Sequence, residues 1–328
     1  MQAHWRFGNM RYGKYGNSQS WYVYPRLSKL DFGFVRILGP GLGNLLFPWA
    51  RSVTVAHHFN FKKIFPTWPQ LKLGASIRRE RDKRFYAGLF QPTGNYVHGW
   101  RKLAVLVHTP RISEEEFFEE DKHLIEKTMR IVEFQGMGGG FVPILDAYEL
   151  IRQELLSITR MEHRRALEFG FGKSIVIHVR RGDFLPPDPE RLQVGAWNVG
   201  VPMDWYVATV EEIRREFGRN VATYVISDAE DCELHQLLKL GNTRRLQFGS
   251  SIADLIALSR SKMLIASGST FGMWASYLGR MPALYYPGQL KQCLYIERPE
   301  WEAEWKGSGR LPSQVIDGFK EMLALETR

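Results

Sequence analysis

Cysteine is nearly absent from the 328-residue chain. Cys232 and Cys293 are its only two, and no Asn-x-Ser/Thr sequon occurs. That argues against a secreted scaffold built on disulfides and makes a reducing cytoplasm the expected compartment. Long hydrophobic runs are missing as well. A bilayer-spanning helix needs about 20 largely apolar residues, and the apolar stretch after Leu45 is interrupted by Pro48 and Arg51, so no transmembrane segment is expected. The N-terminus has no apolar core followed by a small-residue cleavage site, which argues against a secretory signal. Zinc-type His/Cys spacing is lacking, and so is a strict Asp-x-Asp for a metal-bound sugar nucleotide. Asp228-Ala229-Glu230 is the nearest approximation, so no metal is expected.

What is present is ordinary in amount and biased in sign. Hydrophobic residues make up 44% and charged residues 24%, enough to build a core. The length argues for about two domains. Lys and Arg number 44 against 35 Asp and Glu, a net charge of +9, which favours a phosphorylated or polyanionic partner.

Residues 1–30 contain no acidic side chain and are dense in Gly, Tyr, Trp and basic residues. This stretch reads as an arm. A terminus packed by a few aromatics takes precedence over a membrane-surface or acceptor-binding role, and peripheral membrane association stays open. Phe32 to Leu38 reads as a buried strand, followed by the Gly39-Pro40-Gly41-Leu42-Gly43-Asn44 turn and a helix from Leu45 to Phe59 with Asn44 as N-cap and Pro48 in its first turn. A basic cluster (Arg78, Arg79, Arg81, Lys83, Arg84) and the acidic run Glu114 to Asp121 read as solvated faces. Ile131 to Phe134 reads as a strand and Ile144 to Ile158 as an amphipathic helix. From Ser174 onward strands and helices alternate: strands Ser174–Val179, Thr223–Ile226, Leu246–Phe248, Met263–Ala266 and Ala283–Tyr286, and helices Asp204–Phe217, Glu230–Leu240, Ile252–Ser261 and Phe271–Leu278. That alternation predicts parallel strands with helices on both faces and ligands outside the carboxyl ends. The expected division is an arm (1–30), an N-terminal Rossmann-like domain (31–165), a C-terminal Rossmann-like domain (166–312) and a closing helix (313–328).

The sharpest constellation is His178-Val179-Arg180-Arg181-Gly182-Asp183, where a strand gives way to a loop. Arginine offers a planar, permanently charged fork, so Arg180 or Arg181 could hold a diphosphate. Gly182 would allow close backbone approach, and Asp183 could orient an arginine or bind a hydroxyl. The bland reading is a surface pairing of Arg181 with Asp183. In Tyr224-Val225-Ile226-Ser227-Asp228-Ala229-Glu230, Asp228 could either bind a base or ribose or cap the next helix. The third segment, Ala266-Ser267-Gly268-Ser269-Thr270-Phe271-Gly272-Met273-Trp274, places hydroxyls at a helix start, where anions bind. Ordinary capping explains one of them.

Two alternatives fail on spacing. Asn44 and Leu46 occupy the places where a dinucleotide fingerprint needs its third glycine. Gly172-Lys173-Ser174 mimics the end of a P-loop, but Leu167 stands at the required first glycine and a strand follows where a helix should.

Together these motifs resemble the α1,2-fucosyltransferases of glycosyltransferase family 11 and the wider fucosyltransferase superfamily. Gly41-Leu42-Gly43-Asn44-Leu45-Leu46-Phe47 is similar to Gly-x-Gly-Asn-Gln-x-Phe, with Leu45 for Gln. His178 to Asp183 is similar to His-x-Arg-Arg-Gly-Asp. Ser227-Asp228 is similar to Ser-Asp-Asp, with Ala229 for the second Asp, and Ser269 to Trp274 to Ser-Thr-Phe-Ser-x-Trp, with Gly272 for Ser. The resemblance implies an α/β, GT-B-like fold of two Rossmann-type domains with parallel sheets facing a cleft. It implies GDP-fucose as donor, a glycan hydroxyl as acceptor, and no cofactor. By carry-over, Arg180 holds the β-phosphate and His178 and Asp228 contact the nucleoside. Ser269 and Thr270 line the phosphate site with Ser267 and Phe271 beside them, and Arg181, Gly43 and Asn44 complete the donor-binding set.

The implied reaction is an inverting displacement in which Arg180 stabilises the departing diphosphate, with Asp183 as the second catalytic residue. Asp183, His57, His58 and Glu80 are all open as general base. Trp68, Tyr96 and Trp100 could line an acceptor groove, although isolated aromatics are more often packing residues. The competing readings are a transferase for a different nucleotide sugar, and a non-catalytic carbohydrate or nucleic-acid binder. Nucleic acid is not expected, since the basic residues are dispersed and no aromatic RNA-reading platform is evident.

Overall fold

A computed structural model describes residues 21–71, 85–119 and 129–325. The arm up to residue 20, the basic cluster Arg78 to Arg84, Glu80 and Asp121 lie outside the described residues. The chain divides after Met161 into two compact units.

The strands of the N-terminal unit are β1 (Tyr22–Pro25), β2 (Leu30–Asp31), β3 (Arg36–Ile37), β4 (Lys62–Ile64), β5 (Gln70–Leu71), β6 (Tyr96–Val97), β7 (Arg111–Ser113) and β8 (Ile131–Phe134). Five form a parallel sheet in the order β6-β4-β1-β8-β7. Its central strand, β1, lies within the stretch read from sequence as arm. Every residue of β1 is buried, and its neighbour Trp21 stacks on Phe61 beside Phe59, Phe117 and Phe134. The aromatic density that made the segment look like an arm is core packing at this end of it.

The predicted strand Phe32–Leu38 is instead the turn and return of a hairpin. β2 and β3 pair antiparallel, β3 pairs parallel with β5, and Phe32 and Phe34 face solvent. The helix begins at Leu42, not Leu45. Gly41 is its N-cap in extended conformation with no side-chain cap, and Pro48 lies inside it. Asn44 is therefore a first-turn residue and not the cap. Because Pro48 has no N–H, the Asn44 carbonyl loses its i+4 donor. The acidic run also differs from expectation: Glu114 packs against the buried Arg51, whose Nε donates to both carboxylate oxygens at 2.9 and 3.0 Å. The expected helix from Ile144 is a 3-10 turn (Val142–Ala147) leading into Tyr148–Ile158.

The C-terminal unit carries β9 (Ser174–Val179), β10 (Ala222–Ser227), β11 (Thr243–Arg245), β12 (Leu264–Ala266), β13 (Ala283–Tyr285) and β14 (Glu302–Glu304) in one parallel sheet ordered β11-β10-β9-β12-β13-β14. In chain order that is 3-2-1-4-5-6, the doubly wound Rossmann arrangement, whose topological switch falls between its first and fourth strands. Alternation along β9 sends Ile175, Ile177 and Val179 into one core with Val210, Ile213, Ile265 and Leu284, and turns Val176 and His178 to the opposite face. The final helix, Ser313–Ala324, buries Val315, Ile316 and Phe319 in that same core. The predicted helix Glu230–Leu240 shrinks to one turn, His235–Leu238, and the predicted strand Leu246–Phe248 is displaced to β11.

Candidate active site

The site follows from strand register. β9 and β10 pair parallel through Ser227↔Val179, so the residues that leave them, Arg180 and Asp228, emerge side by side. Arg180 Nη1 donates to Asp228 Oδ2, and its Nη2 donates to Asp183 Oδ1 at 2.5 Å. The second Asp228 oxygen accepts the backbone N–H of Arg181 at 2.8 Å. Asp228 thus clamps the turn after β9 and caps no helix. Below it, Ser227 Oγ donates to the Val179 carbonyl at 2.7 Å and accepts from Ala229 N at 3.0 Å. Arg180 is a quarter exposed, with its guanidinium 5.6 Å from the Phe184 ring. Of its five N–H donors, the two carboxylates take two.

The neighbouring arginine does different work. Arg181 Nη2 donates to the Val201 carbonyl at 3.0 Å, and its buried Nη1 has no hydrogen-bond partner among the described residues. A Cβ on Gly200 would lie 2.3 Å from that Nη1, so the loop returns here only because residue 200 is glycine. Arg181 anchors the 184–201 loop while Arg180 remains at the strand mouth. The surface pairing of Arg181 with Asp183 does not form: Asp183 bonds Arg180.

Across the switch point, β12 pairs with the other side of β9 (Ile265↔Ile177), which sets Ala266 level with His178 and Ser267 just past it. Ser267 Oγ lies 3.0 Å and Ser269 Oγ 3.4 Å from His178 Nδ1. The two hydroxyls bond each other at 3.2 Å. Ser269 also caps the helix Thr270–Gly279 by accepting from Gly272 N. Gly272 leaves room for the imidazole, since a Cβ there would sit 3.2 Å from Nδ1. The Phe271 ring lies 5.3 Å from the imidazole, with Thr270 and Phe271 themselves half-buried. Burial, reinforced by the Arg180 charge, pushes the His178 pKa down to about 3, so the ring is neutral.

His178, Arg180, Arg181, Asp183, Asp228, Ser267, Ser269, Thr270 and Phe271 are therefore gathered at the carboxyl ends of β9, β10 and β12. Gly43 and Asn44 belong to the N-terminal unit, in the first turn of its long helix, where Asn44 Oδ1 is buried with no hydrogen-bond partner among the described residues. His57 and His58 lie in the last turn of that helix. Trp68 and Tyr96 are core residues, whereas Trp100 is 81% exposed. Among the described residues no three His, Cys, Asp or Glu side chains converge as a ligand set for a metal, and no helix is long and apolar enough to cross a membrane.

Gln289 escaped the sequence reading. It is buried, its amide donates to the Leu192 carbonyl at 2.7 Å, and a Cβ on Gly268 would meet it at 2.6 Å. It thereby ties the end of β12 to the 184–201 loop. Its partners lie about a hundred positions away in the chain, and no local pattern announces them.

The C-terminal unit is a six-stranded doubly wound sheet with basic and hydroxyl groups at its switch point, and the N-terminal unit holds a second parallel sheet, an α/β protein of two Rossmann-like units. The profile of glycosyl transferase family 11 matches residues 107–286, more than half of the chain, and the chain belongs to that family. A search among curated proteins gives no match. Among solved structures, the chain is similar to the fucosyltransferase NodZ from Bradyrhizobium, at 14% identity over 82% of this chain and 94% of that one, with a TM-score of 0.46. It is similar also to POFUT1 in complex with GDP (10%, covering 82% and 99%, TM-score 0.46). A third is the E. coli ADP-heptose LPS heptosyltransferase II (11%, covering 94% and 100%, TM-score 0.40).

Proposed function

We propose that the protein is an inverting, metal-independent fucosyltransferase that uses GDP-fucose and transfers the sugar to a glycan hydroxyl, with Arg180 stabilising the departing diphosphate. The observation that carries this is the double carboxylate hold on Arg180, by Asp228 and Asp183 at the mouth of β9. A guanidinium fixed on two sides cannot swing away, and its three remaining N–H donors present a preorganised charge to a phosphate. In this reading Asp228 and Asp183 are positioning groups for the arginine.

The helix Thr270–Gly279 supplies the second anchor. Its first backbone N–H groups have no intrahelical acceptor, and the helix end carries partial positive charge that favours phosphate oxygens. Neutral His178 and its two serine partners fix the turn that aims them. Chemically, the acceptor oxygen forms a bond to the anomeric carbon as the bond from that carbon to the diphosphate oxygen breaks. The sugar inverts, GDP leaves with the electron pair, and the hydroxyl proton passes to solvent or to the departing diphosphate. Charge grows on the diphosphate in the transition state, which is where a preorganised donor contributes most.

The reading is tested by a thermal-shift panel of GDP, UDP, CDP and ADP without added metal, followed by GDP-fucose turnover on a glycan acceptor series. A rise with GDP alone is expected. A rise with UDP alone would move the reading to a different nucleotide sugar, and no rise with any of the four would end it.

A further inference from the structure

The N-terminal unit exposes an apolar face that packs against nothing among the described residues. Pairing of β2 with β3 and β3 with β5 sets Leu30, Ile37 and Leu71 in one cross-strand row, and all three are exposed, at 49%, 39% and 50%. The β2–β3 turn continues the face with Phe32 and Phe34. It is held rigid: Gly33 N donates to Asp31 Oδ1 at 2.9 Å, the Tyr24 hydroxyl donates to Asp31 Oδ2 at 2.7 Å, and Phe32 N donates to the Val35 carbonyl at 3.0 Å. The turn lies directly on the helix Gly99–His108, since a Cβ on Gly33 would sit 2.6 Å from Leu103 Cδ2. From that helix Trp100 meets Phe34 edge-on at 5.7 Å. Trp100, Leu103 and Val107 follow at i, i+3 and i+7, with Trp100 and Val107 81% and 74% exposed, so one helical stripe extends the sheet row.

Among the described residues, the exposed charge at this face has one sign. Gly99–His108 contains no acidic residue. Between residues 26 and 38 the single acid, Asp31, is taken up by Tyr24 and Gly33. Arg26 and Arg111 are matched by Glu133, while Lys29 and Arg101 stand exposed next to Leu30 and Trp100. A second copy packed symmetrically here would set these cations against themselves. A glycan would find no acceptor side chains on the row to orient its hydroxyls. An anionic bilayer fits both features: Trp and Phe settle at the headgroup boundary, apolar side chains enter the acyl edge, and lysine and arginine meet lipid phosphates.

We propose that this face of the N-terminal unit docks the enzyme on an anionic lipid surface. The test is co-sedimentation of the full chain with vesicles of phosphatidylcholine alone and of three parts phosphatidylcholine to one part phosphatidylglycerol, at low and high salt. The expected result is binding to the mixed vesicles, weakened by salt. Phe34→Ser with Trp100→Ser should lower partitioning about tenfold or more, and Lys29→Gln with Arg101→Gln about fivefold for each cation. Circular dichroism and melting temperature unchanged from wild type would establish that both double variants are folded. Three outcomes would overturn the proposal: wild-type protein left in the supernatant with mixed vesicles, vesicle binding untouched by Phe34→Ser with Trp100→Ser, or a concentration-dependent dimer in sedimentation velocity that this double variant dissolves.

Discussion

Gly182 and Asp228 touch so closely that a Cβ on residue 182 would lie 2.2 Å from Asp228 Oδ2. No real pair of atoms tolerates that separation, so Gly182→Ala must push the carboxylate off Arg180. Gly182 is exposed, and the change should cost the fold little, within about 1 kcal/mol. If the proposed function holds, turnover of GDP-fucose should fall at least tenfold with an unchanged melting temperature. The double variant with Asp228→Ala should be no worse than Asp228→Ala alone, because the clash and the lost hold are the same event. Additive losses in that cycle would show that Gly182 acts by another route.

Replacing Arg180 separates charge from geometry. In the proposed reaction Arg180→Ala removes the donor where diphosphate charge develops, and losses for such groups run at about 2.7 to 4 kcal/mol, or two to three orders of magnitude in kcat. Arg180→Lys keeps the charge but offers one ammonium in place of a fork that spans Asp228 and Asp183. Both variants should fail, with GDP affinity falling less than kcat. A lysine variant retaining wild-type kcat would mean that charge alone suffices.

The sequence marked this half of the chain well because of burial. β9 is enclosed on both faces, so it reads as a continuous apolar run with sharp ends, and the residues just past a strand's carboxyl end are the ones a doubly wound sheet presents to ligand. The choice between Arg180 and Arg181 was not available from pattern. The two are adjacent, and only the fold shows one held by Asp228 from 48 positions away and the other turned to Val201. The N-terminal unit was harder. Strands of two residues, such as β2, β3, β5 and β6, are too short for any period to register. The apolar run Phe32–Leu38 looked buried because hydrophobicity alone cannot distinguish a core strand from an exposed apolar face.

His178 should give a pH signature in stability. Its folded pKa is depressed from 6.5 to about 3, so between those values the unfolded chain binds a proton that the native protein refuses. Stability then rises with pH across this window and falls as the medium is acidified below about 6.5, with a slope from this group approaching 1.4 kcal/mol per pH unit. His178→Gln keeps a polar side chain beside Ser267 and Ser269 but cannot titrate. Urea melts of both proteins from pH 7 down to 4 should converge as pH falls, the wild type losing its advantage. Parallel curves would place the histidine's folded pKa near its ordinary value.

Gln289 governs whether the 184–201 loop stays seated. Its amide donates to the Leu192 carbonyl from a buried position; that carbonyl also accepts the Gly195 N–H at 2.9 Å, so Gln289→Leu removes one of its two hydrogen bonds at a cost of about 0.5 to 1.5 kcal/mol. Gly268→Ala attacks the same joint from the other side, because φ there is +65° and the added carbon would strike the Gln289 side chain. Both should lower the melting temperature. The loop is anchored at its far end by Arg181 through Val201, and the turn after β9 is shared, so loosening the loop at Leu192 should also raise the donor KM while kcat changes less. Stability loss with donor KM unmoved would confine Gln289 to holding the fold.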